Sequence, residues 1–421
     1  MLLDSALALL SFALFANATA TLWWMLHAWR TPETLAATRF RAPDGETGLS
    51  FSLLVPARHE DAVLAFTLER LLESSYDAYE IVVVVGHDDP ATTAVARQVE
   101  AASNRVTVVV DSHDVKNKPK ALNTGLAYCR GDVVGVFDAE DQVHPALLAH
   151  VDHAFRSTAA DVVQGGVQLI NFHSNWYALR NCLEYFFWFR SRLHLQARHG
   201  FIPLGGNTVF VRTDRLREVG GWDENCLAED CDLGARLSTR GAKVVVAYDS
   251  TLVTREETPG SLYALFKQRT RWNQGFMQVY RKRDWRRLPT ASQRALARYT
   301  LASPFLQAFS GVATVIGLVI ALSVRAPVGV ALLTFLPIVP ALATVAFEIV
   351  GLQDFGKQYG LGIKWSHYAK LVAGTPFYMA MLTAAATRAV WREYTGRNDW
   401  ELTQHVGAHL EPASSKVRAT A

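Results

Sequence analysis

The chain has 421 residues, half of them hydrophobic and only 19% charged, with a mean hydropathy of +0.08. Typical domains carry about 25% charged residues, so this composition excludes a disordered or fibrous chain and favours membrane residence. The 42 basic and 39 acidic residues leave a net charge of +3, too mild a balance for a nucleic-acid partner.

Residues 5–28 contain no Asp, Glu, Lys or Arg, enough for one membrane span of about 20 residues. Ala18-Thr19-Ala20 mimics a signal-peptide cleavage site. However, Met1–Asp4 carries no positive side chain, and the apolar run continues through Leu22-Trp23-Trp24-Met25. Residues 1–30 are therefore read as an anchor. Arg30, Arg39 and Arg41 follow it, and the positive-inside rule places the chain after residue 30 in the cytosol.

Residues 45–285 read as a cytosolic α/β body. Strands are predicted at 51–57, 81–86, 106–111 and 133–141, with a helix carrying Leu64, Leu68, Leu71 and Leu72 between the first two. Continuous Val/Ile runs separated by helices indicate a mostly parallel sheet covered on both faces. Such sheets bind ligands at the carboxyl ends of their strands. Those ends carry Arg58-His59-Glu60, His87-Asp88-Asp89, Asp111 and Asp138-Ala139-Glu140-Asp141. Neither a dinucleotide GxGxxG after the first strand nor a P-loop is present. Cys129, Cys182, Cys226 and Cys231 form no CxxC pair and read as reduced thiols. Residues 176–198 mix aromatics with Arg180, Arg190, Arg192 and Arg198. They suit a helix at the headgroup level; a core helix with a basic outer face is the alternative.

The body ends in a second apolar region, 295–390. Residues 299–350 carry only Arg325 and Glu348 as formal charges, and Arg325-Ala326-Pro327 splits them into spans at 299–323 and 328–350. A third segment, 366–389, contains Lys370, Gly374 and Pro376 and either spans or lies in the interface. Arg388, Arg392 and Arg397 favour a cytosolic tail over 391–421. Alternation of one plus three spans puts that tail outside, and the two rules conflict.

Four clusters carry chemistry. Asp138 and Glu140 follow a buried strand, and crowded carboxylates call for a cation; oxygen ligands suit Mg²⁺ or Mn²⁺. Glu229-Asp230 at a helix start offers a general base, against the alternative of Asp230 as a helix cap. Gln268, Arg271 and Trp272 share one helix face. With Arg269 they combine forks for phosphate with a flat platform for a sugar. Leu204-Gly205-Gly206-Asn207-Thr208 is a turn that permits close backbone approach.

These clusters, in this order, resemble the membrane-embedded family 2 glycosyltransferases, which include cellulose, chitin and hyaluronan synthases. The matching stretch is about residues 50–275. His87-Asp88-Asp89 stands for an Asp after the second strand, and Asp138-Ala139-Glu140 for Asp-x-Asp. Ala228-Glu229-Asp230 stands for a Thr-Glu-Asp-like motif, and Gln268-Arg269-Thr270-Arg271-Trp272 for Gln-x-x-Arg-Trp. Lys118-Pro119-Lys120-Ala121-Leu122-Asn123 resembles Lys-x-x-Ala-Leu-Asn. Glu140 replaces an Asp, and the usual Asp-Asp-Gly after the second strand is Gly86-His87-Asp88-Asp89.

The resemblance implies a GT-A-like, Rossmann-like sheet domain inserted between transmembrane helices of a cell membrane, and an inverting transferase using a UDP-sugar. Asp230 is then the expected base, with Glu229 orienting it. Asp88, Lys118, Asp138, Arg269 and Arg271 would contact the nucleotide sugar. Asp138 and Glu140 would hold Mg²⁺ or Mn²⁺. Gly206, Asn207, Gln268 and Trp272 would hold the acceptor. Glu257 would order the loop leading into the Gln268–Trp272 helix. The expected product is a growing β-linked polysaccharide, with a homo-oligomer or export partner completing a channel. The alternatives are transfer of one sugar to a membrane lipid, and a transporter or scaffold with a degenerate nucleotide fold.

Overall fold

The computed structural model describes residues 2–27, 48–323 and 327–401. Arg30, Arg39, Arg41, Arg325 and the tail beyond Glu401 lie outside the described residues, as do the readings placed on them.

Among the described residues nine strands form: β1 (Phe51–Ala57), β2 (Tyr79–Gly86), β3 (Val106–Asp111), β4 (Val133–Val136), β5 (Val162–Gly165), β6 (Val167–Leu169), β7 (Val209–Arg212), β8 (Val244–Ala247) and β9 (Thr254–Glu256). Seven of them build one sheet in the order β3-β2-β1-β4-β7-β5-β8. Only β7 runs antiparallel to its neighbours, β4 and β5. β6 and β9 pair separately in parallel. The sheet is the mostly parallel, GT-A-like arrangement expected.

Alternation along β1 builds the two sides of the core. Leu53 and Val55 join Leu64, Leu68 and Leu71 of the Leu64–Leu72 helix on one face. Leu54 joins Leu122 and Leu126 of the Lys118–Leu126 helix on the other. Gly125 permits that contact, because a Cβ there would lie 2.3 Å from Leu54 Cδ1. On the first face Phe210 of β7 packs edge-on to Phe51 and Phe137 and lies over Gly135 of β4.

Three expectations are corrected. The predicted 133–141 strand stops at Val136. Beyond it Asp138–Asp141 closes a turn, in which Asp141 N donates to Asp138 O and Asp138 N to Asp141 Oδ2, at 3.2 and 2.8 Å. The 328–350 span is two helices, Val328–Thr334 and Ile338–Gln358, because Pro337 and Pro340 lack the donors a continuous helix needs. The 176–198 segment is a buried helix, Ala178–Phe187, running through a π turn into Leu193–Arg198. It has no basic outer face at Arg180, which is buried and paired at 2.8 Å with Glu348 of the Ile338–Gln358 helix.

Among the described residues, three stretches are long and apolar enough to cross a membrane: Asp4–Met25, Ala291–Gly317 and Val328–Gln358. The Trp365–Tyr394 helix is not one of them. It packs along the Leu262–Lys282 and Ala291–Ser323 helices.

The aromatic cluster at Phe210 gives a stability test. Phe210→Ala should lower the unfolding free energy by about 3–5 kcal/mol, read as a lower midpoint in denaturation of the detergent-solubilised protein.

Candidate active site

Strand ends and helix starts meet at one edge of the sheet. Asn117 caps the Lys118–Leu126 helix by accepting from Lys120 N at 3.0 Å, and Pro119 fits the first turn. The cap aims Lys118 at the turn after β4. Its ammonium donates to Asp138 Oδ1, and to Gly206 O at 3.0 Å. Burial pulls the ammonium down, but Asp138, Glu229 and Asp230 outweigh it and raise its pKa. One cation therefore faces both acidic motifs.

Asp230 lies in the first turn of the Glu229–Thr239 helix, where the helix dipole favours negative charge. It does not cap that helix: Ala228 is the N-cap residue and no side chain caps it. The capping alternative therefore fails. Burial pushes Glu229 up to about 7, with Asp230 adding to the rise. Burial raises Asp230 as well, against the pull of Lys118 and Arg271. Gly206 lets the backbone approach this pair, since a Cβ there would stand 3.2 Å from Asp230 Oδ2.

Asn207 acts on the other acidic motif. Its amide donates to Asp141 Oδ1 at 3.0 Å and also to Glu256. The turn that aims it is strained: Thr208 adopts φ 48°, uncommon for a β-branched residue. Thr208 N is held by Val136 O at 2.7 Å. Burial pushes Glu256 up to about 8, with Asp138 and Glu140 contributing. It pushes Glu60 to about 8 as well, with Glu140 and Asp138 adding. Asp141 is raised well above the usual range, by burial and then by Glu256.

This crowd of carboxyls held above their ordinary values is an environment short of positive charge. No group of three His, Cys, Asp or Glu side chains converges as a metal cage among the described residues. Mg²⁺ and Mn²⁺ do not require one, because they are commonly held by one or two carboxylates plus phosphate oxygens. Asp138 and Glu140 fit that pattern.

The Gln-x-x-Arg-Trp segment sits on the Leu262–Lys282 helix, started by Ser261, whose hydroxyl accepts from Ala264 N at 3.1 Å. Arg269 donates to Asn181 and Glu184, and its guanidinium lies 4.8 Å over the Trp272 ring. Arg271 lies 4.7 Å over Trp400. Gln268 Oε1, Arg269 Nε and Arg271 Nε are buried without a hydrogen-bond partner. Buried polar atoms are normally satisfied, so this motif holds unmet hydrogen-bonding capacity. Gly275 locks the helix to the Glu229-Asp230 loop: a Cβ there would lie 2.6 Å from Ala228 N.

Asp88 stands apart from this centre, exposed and paired with Arg58 at 2.8 Å and Lys116 at 3.4 Å. Neighbouring Asp89 is buried and caps the Pro90–Ala102 helix. Glu257 is buried beside Thr258, whose N–H donates to Asn171 at 2.8 Å. The structure thus gathers Lys118, Asp138, Gly206, Glu229 and Asp230, with Glu140, Asn207 and Arg271 around them. Sequence reasoning assigned no site role to Glu60, Asp141, Glu184 or Glu256. Glu60 and Asp141 lie in strand-end clusters already visible in the sequence. Glu184 and Glu256 carry no such signal.

A model described as glycosyltransferase-like family 2 matches residues 48–275. The chain belongs to that family. Within it, the chain is similar to a beta-monoglucosyldiacylglycerol synthase of Synechocystis sp., 28% identical over 384 residues, covering 86% of this chain and 76% of the relative. It is also similar to a poly-beta-1,6-N-acetyl-D-glucosamine synthase of Staphylococcus aureus, 24% identical over 245 residues and 55% of each chain. It spans about half the length of other curated relatives it matches. A mannosyltransferase from Pyrobaculum calidifontis, solved with GDP-Man and Mn²⁺, shares its fold at a TM-score of 0.63 and 17% identity, covering 93% of this chain and 99% of that one. The chain is a family 2 glycosyltransferase.

Asn207→Ala leaves the Asp141 and Glu256 carboxyls without their shared amide donor. Loss of such a partner should cost about 1–3 kcal/mol, seen as a lower thermal midpoint, with Asn207→Asp worse than Asn207→Ala because it adds a carboxylate.

Proposed function

We propose that this glycosyltransferase moves a single sugar from a nucleotide sugar to a membrane lipid, with inversion at the anomeric carbon. One structural observation carries the choice of acceptor. Among the described residues, the three membrane-length stretches are little packed against the rest of the protein. Stretches so exposed suit contact with lipid better than enclosure of a growing polymer. The Synechocystis lipid glucosyltransferase supports the same reading, because its similarity extends well past residue 275. The S. aureus polymer synthase matches about half the chain.

In this reading the acceptor hydroxyl attacks the anomeric carbon from the face opposite the diphosphate. The bond from that carbon to the diphosphate oxygen breaks, and the hydroxyl proton passes to Asp230. Glu229, held up near neutrality, keeps a second negative charge from opposing the base. Lys118 and Arg271 stand near the leaving diphosphate, and Asp88 faces the nucleoside. Trp272, with Gln268, Gly206 and Asn207, frames the acceptor. Asp138 and Glu140 would hold Mg²⁺ or Mn²⁺, which offsets charge on the departing diphosphate. Arg269 keeps the Trp272 platform in place through Glu184 and Asn181.

The test incubates the purified protein in lipid nanodiscs containing diacylglycerol with a panel of radiolabelled UDP- and GDP-sugars. Label should partition into chloroform as a product of one added sugar. Label in a large, water-soluble product would establish the polymer reading instead. Excess EDTA should abolish transfer, and Mn²⁺ or Mg²⁺ should restore it. In the same assay Asp230→Asn should transfer about 10²–10⁴-fold more slowly while binding nucleotide as wild type does. Wild-type turnover in that variant excludes Asp230 as the base. Trp272→Ala should lose transfer but retain slow donor hydrolysis; equal loss of both would make Trp272 structural.

A further inference from the structure

The π turn Trp188–Arg192 carries two arginines in unlike surroundings. Arg190 pairs with Asp354 at 3.9 Å. Among the described residues Arg192 has neither a carboxylate nor a hydrogen-bond partner. Its guanidinium lies 4.8 Å from the centre of the Trp24 ring and 4.9 Å from that of Trp188. Nε is buried and unmet, while the side chain as a whole is half-buried, so its terminal nitrogens remain reachable. Burial pulls its pKa down to about 10, with Tyr299 opposing, which leaves it charged at neutral pH. Buried charges are normally paired, as Arg180 is with Glu348 and Arg269 with Glu184. Arg271 shares the surroundings of Arg192: it lies over Trp400, its Nε is unmet, and the proposed mechanism sets it beside a diphosphate.

Arg192 sits where the Asp4–Met25 stretch meets the catalytic body. The hydroxyl of neighbouring Ser191 donates to Trp24 O at 2.9 Å and to Met25 O at 3.2 Å, carbonyls at the end of that stretch. The Trp24 ring packs edge-on to Tyr299 of the Ala291–Gly317 stretch, with centroids 4.7 Å apart. One turn beyond Arg192, Gln196 donates to Thr300 at 3.3 Å. Two membrane-length stretches therefore converge beside one unpaired guanidinium. Tryptophan at the end of a span marks the headgroup level. Leu9, Phe12 and Trp23 of the same stretch are exposed, and a rise of 3.6 residues per turn places them along one face.

We propose that Arg192 binds the phosphate of an anionic membrane phospholipid, in a site framed by Trp24 and Trp188 where the anchor docks on the catalytic body. The inference rests on reading Asp4–Met25 and Ala291–Gly317 as spans, and not on the acceptor of transfer. The aromatic contacts leave the N–H groups in the guanidinium plane unused, and those form the fork that grips phosphate oxygens. The occupant is a phospholipid because Trp24 closes a span and the exposed Leu9–Phe12–Trp23 face receives acyl chains. Its headgroup is anionic because a zwitterionic one brings its own ammonium to the phosphate. The π turn fits this role, since such turns are rare and frequently mark functional sites. Arg192 takes no part in the transfer mechanism, so the lipid acts as a structural ligand. It neutralises a buried charge and strengthens the junction that Ser191 makes with the end of the anchor.

Two measurements on the full chain test the proposal. In the first, native mass spectrometry of the detergent-solubilised protein follows titration with dioleoyl phosphatidylglycerol or dioleoyl phosphatidylcholine. Phosphatidylglycerol should bind more tightly, and Arg192→Gln should weaken it by about 10–100-fold. Arg198→Gln, at an exposed position on the same segment, should bind as wild type does. Unchanged binding in Arg192→Gln overturns the proposal, and so does equal weakening in both variants, which is general charge attraction. Equal affinity for phosphatidylcholine overturns the anionic assignment. Inorganic phosphate that raises the thermal midpoint as far as phosphatidylglycerol does, and only when Arg192 is present, would make this a free-anion site and overturn the lipid assignment. The second measurement needs no substitution: phosphatidylglycerol with a photoreactive headgroup should crosslink to peptides containing Trp24 or Trp188–Arg192. Crosslinks confined to other peptides overturn the proposal even if Arg192→Gln fails to fold. Neither readout needs activity, so failure of the lipid-acceptor assay leaves this test intact.

Discussion

A single ammonium group organises the candidate active site. Lys118 reaches Asp138 on one side and faces Glu229 and Asp230 on the other, while also binding Gly206 O. Glu229, Asp230, Asp141, Glu256 and Glu60 are all held above their usual carboxyl range by burial. Burying that many acids would be unfavourable without compensation. Lys118 supplies part of it from within the fold, and a divalent ion on Asp138 and Glu140 would supply more when donor binds. In the proposed mechanism the same lysine links the segment that would meet the leaving group to the segment that would take the proton.

Buried arginines tie this centre to the apolar helices. Arg180 reaches Glu348 and Thr375, and Arg269 reaches Glu184, which also accepts from Tyr378. Each pair joins the Ala178–Phe187 helix to another helix. Removing Glu348 strands the buried charge of Arg180, which is far more costly than losing a surface ion pair. The aromatic and arginine content of residues 176–198 therefore serves internal attachment more than outward contact.

The first four strands were legible because continuous Val/Ile runs end in acidic clusters. The Lys118, Asp138, Glu229 and Gln268 segments were legible because each keeps its chemistry within a few residues. What escaped depends on distance in sequence. Glu256 and Asn207 meet Asp141 only once β7 inserts antiparallel beside β4, and nothing local announces that reversal. Glu184 gains its meaning only from Arg269, 85 positions away. Strands of three or four residues such as β6 and β9 are too short for periodicity to register. The Trp365–Tyr394 helix was ambiguous for a different reason: Lys370, Gly374 and Pro376 interrupt its apolar sequence.

The most direct test of the central role of Lys118 is the pH profile of kcat/KM for Lys118→Met. In the proposed mechanism transfer requires a deprotonated acid in the Glu229/Asp230 pair, so activity should fall as pH drops through the pair's apparent pKa. The Lys118 charge lowers both members. Its removal should move the acidic limb to higher pH, whatever the change in maximal rate. An acidic limb that stays in place, or moves to lower pH, would contradict the account.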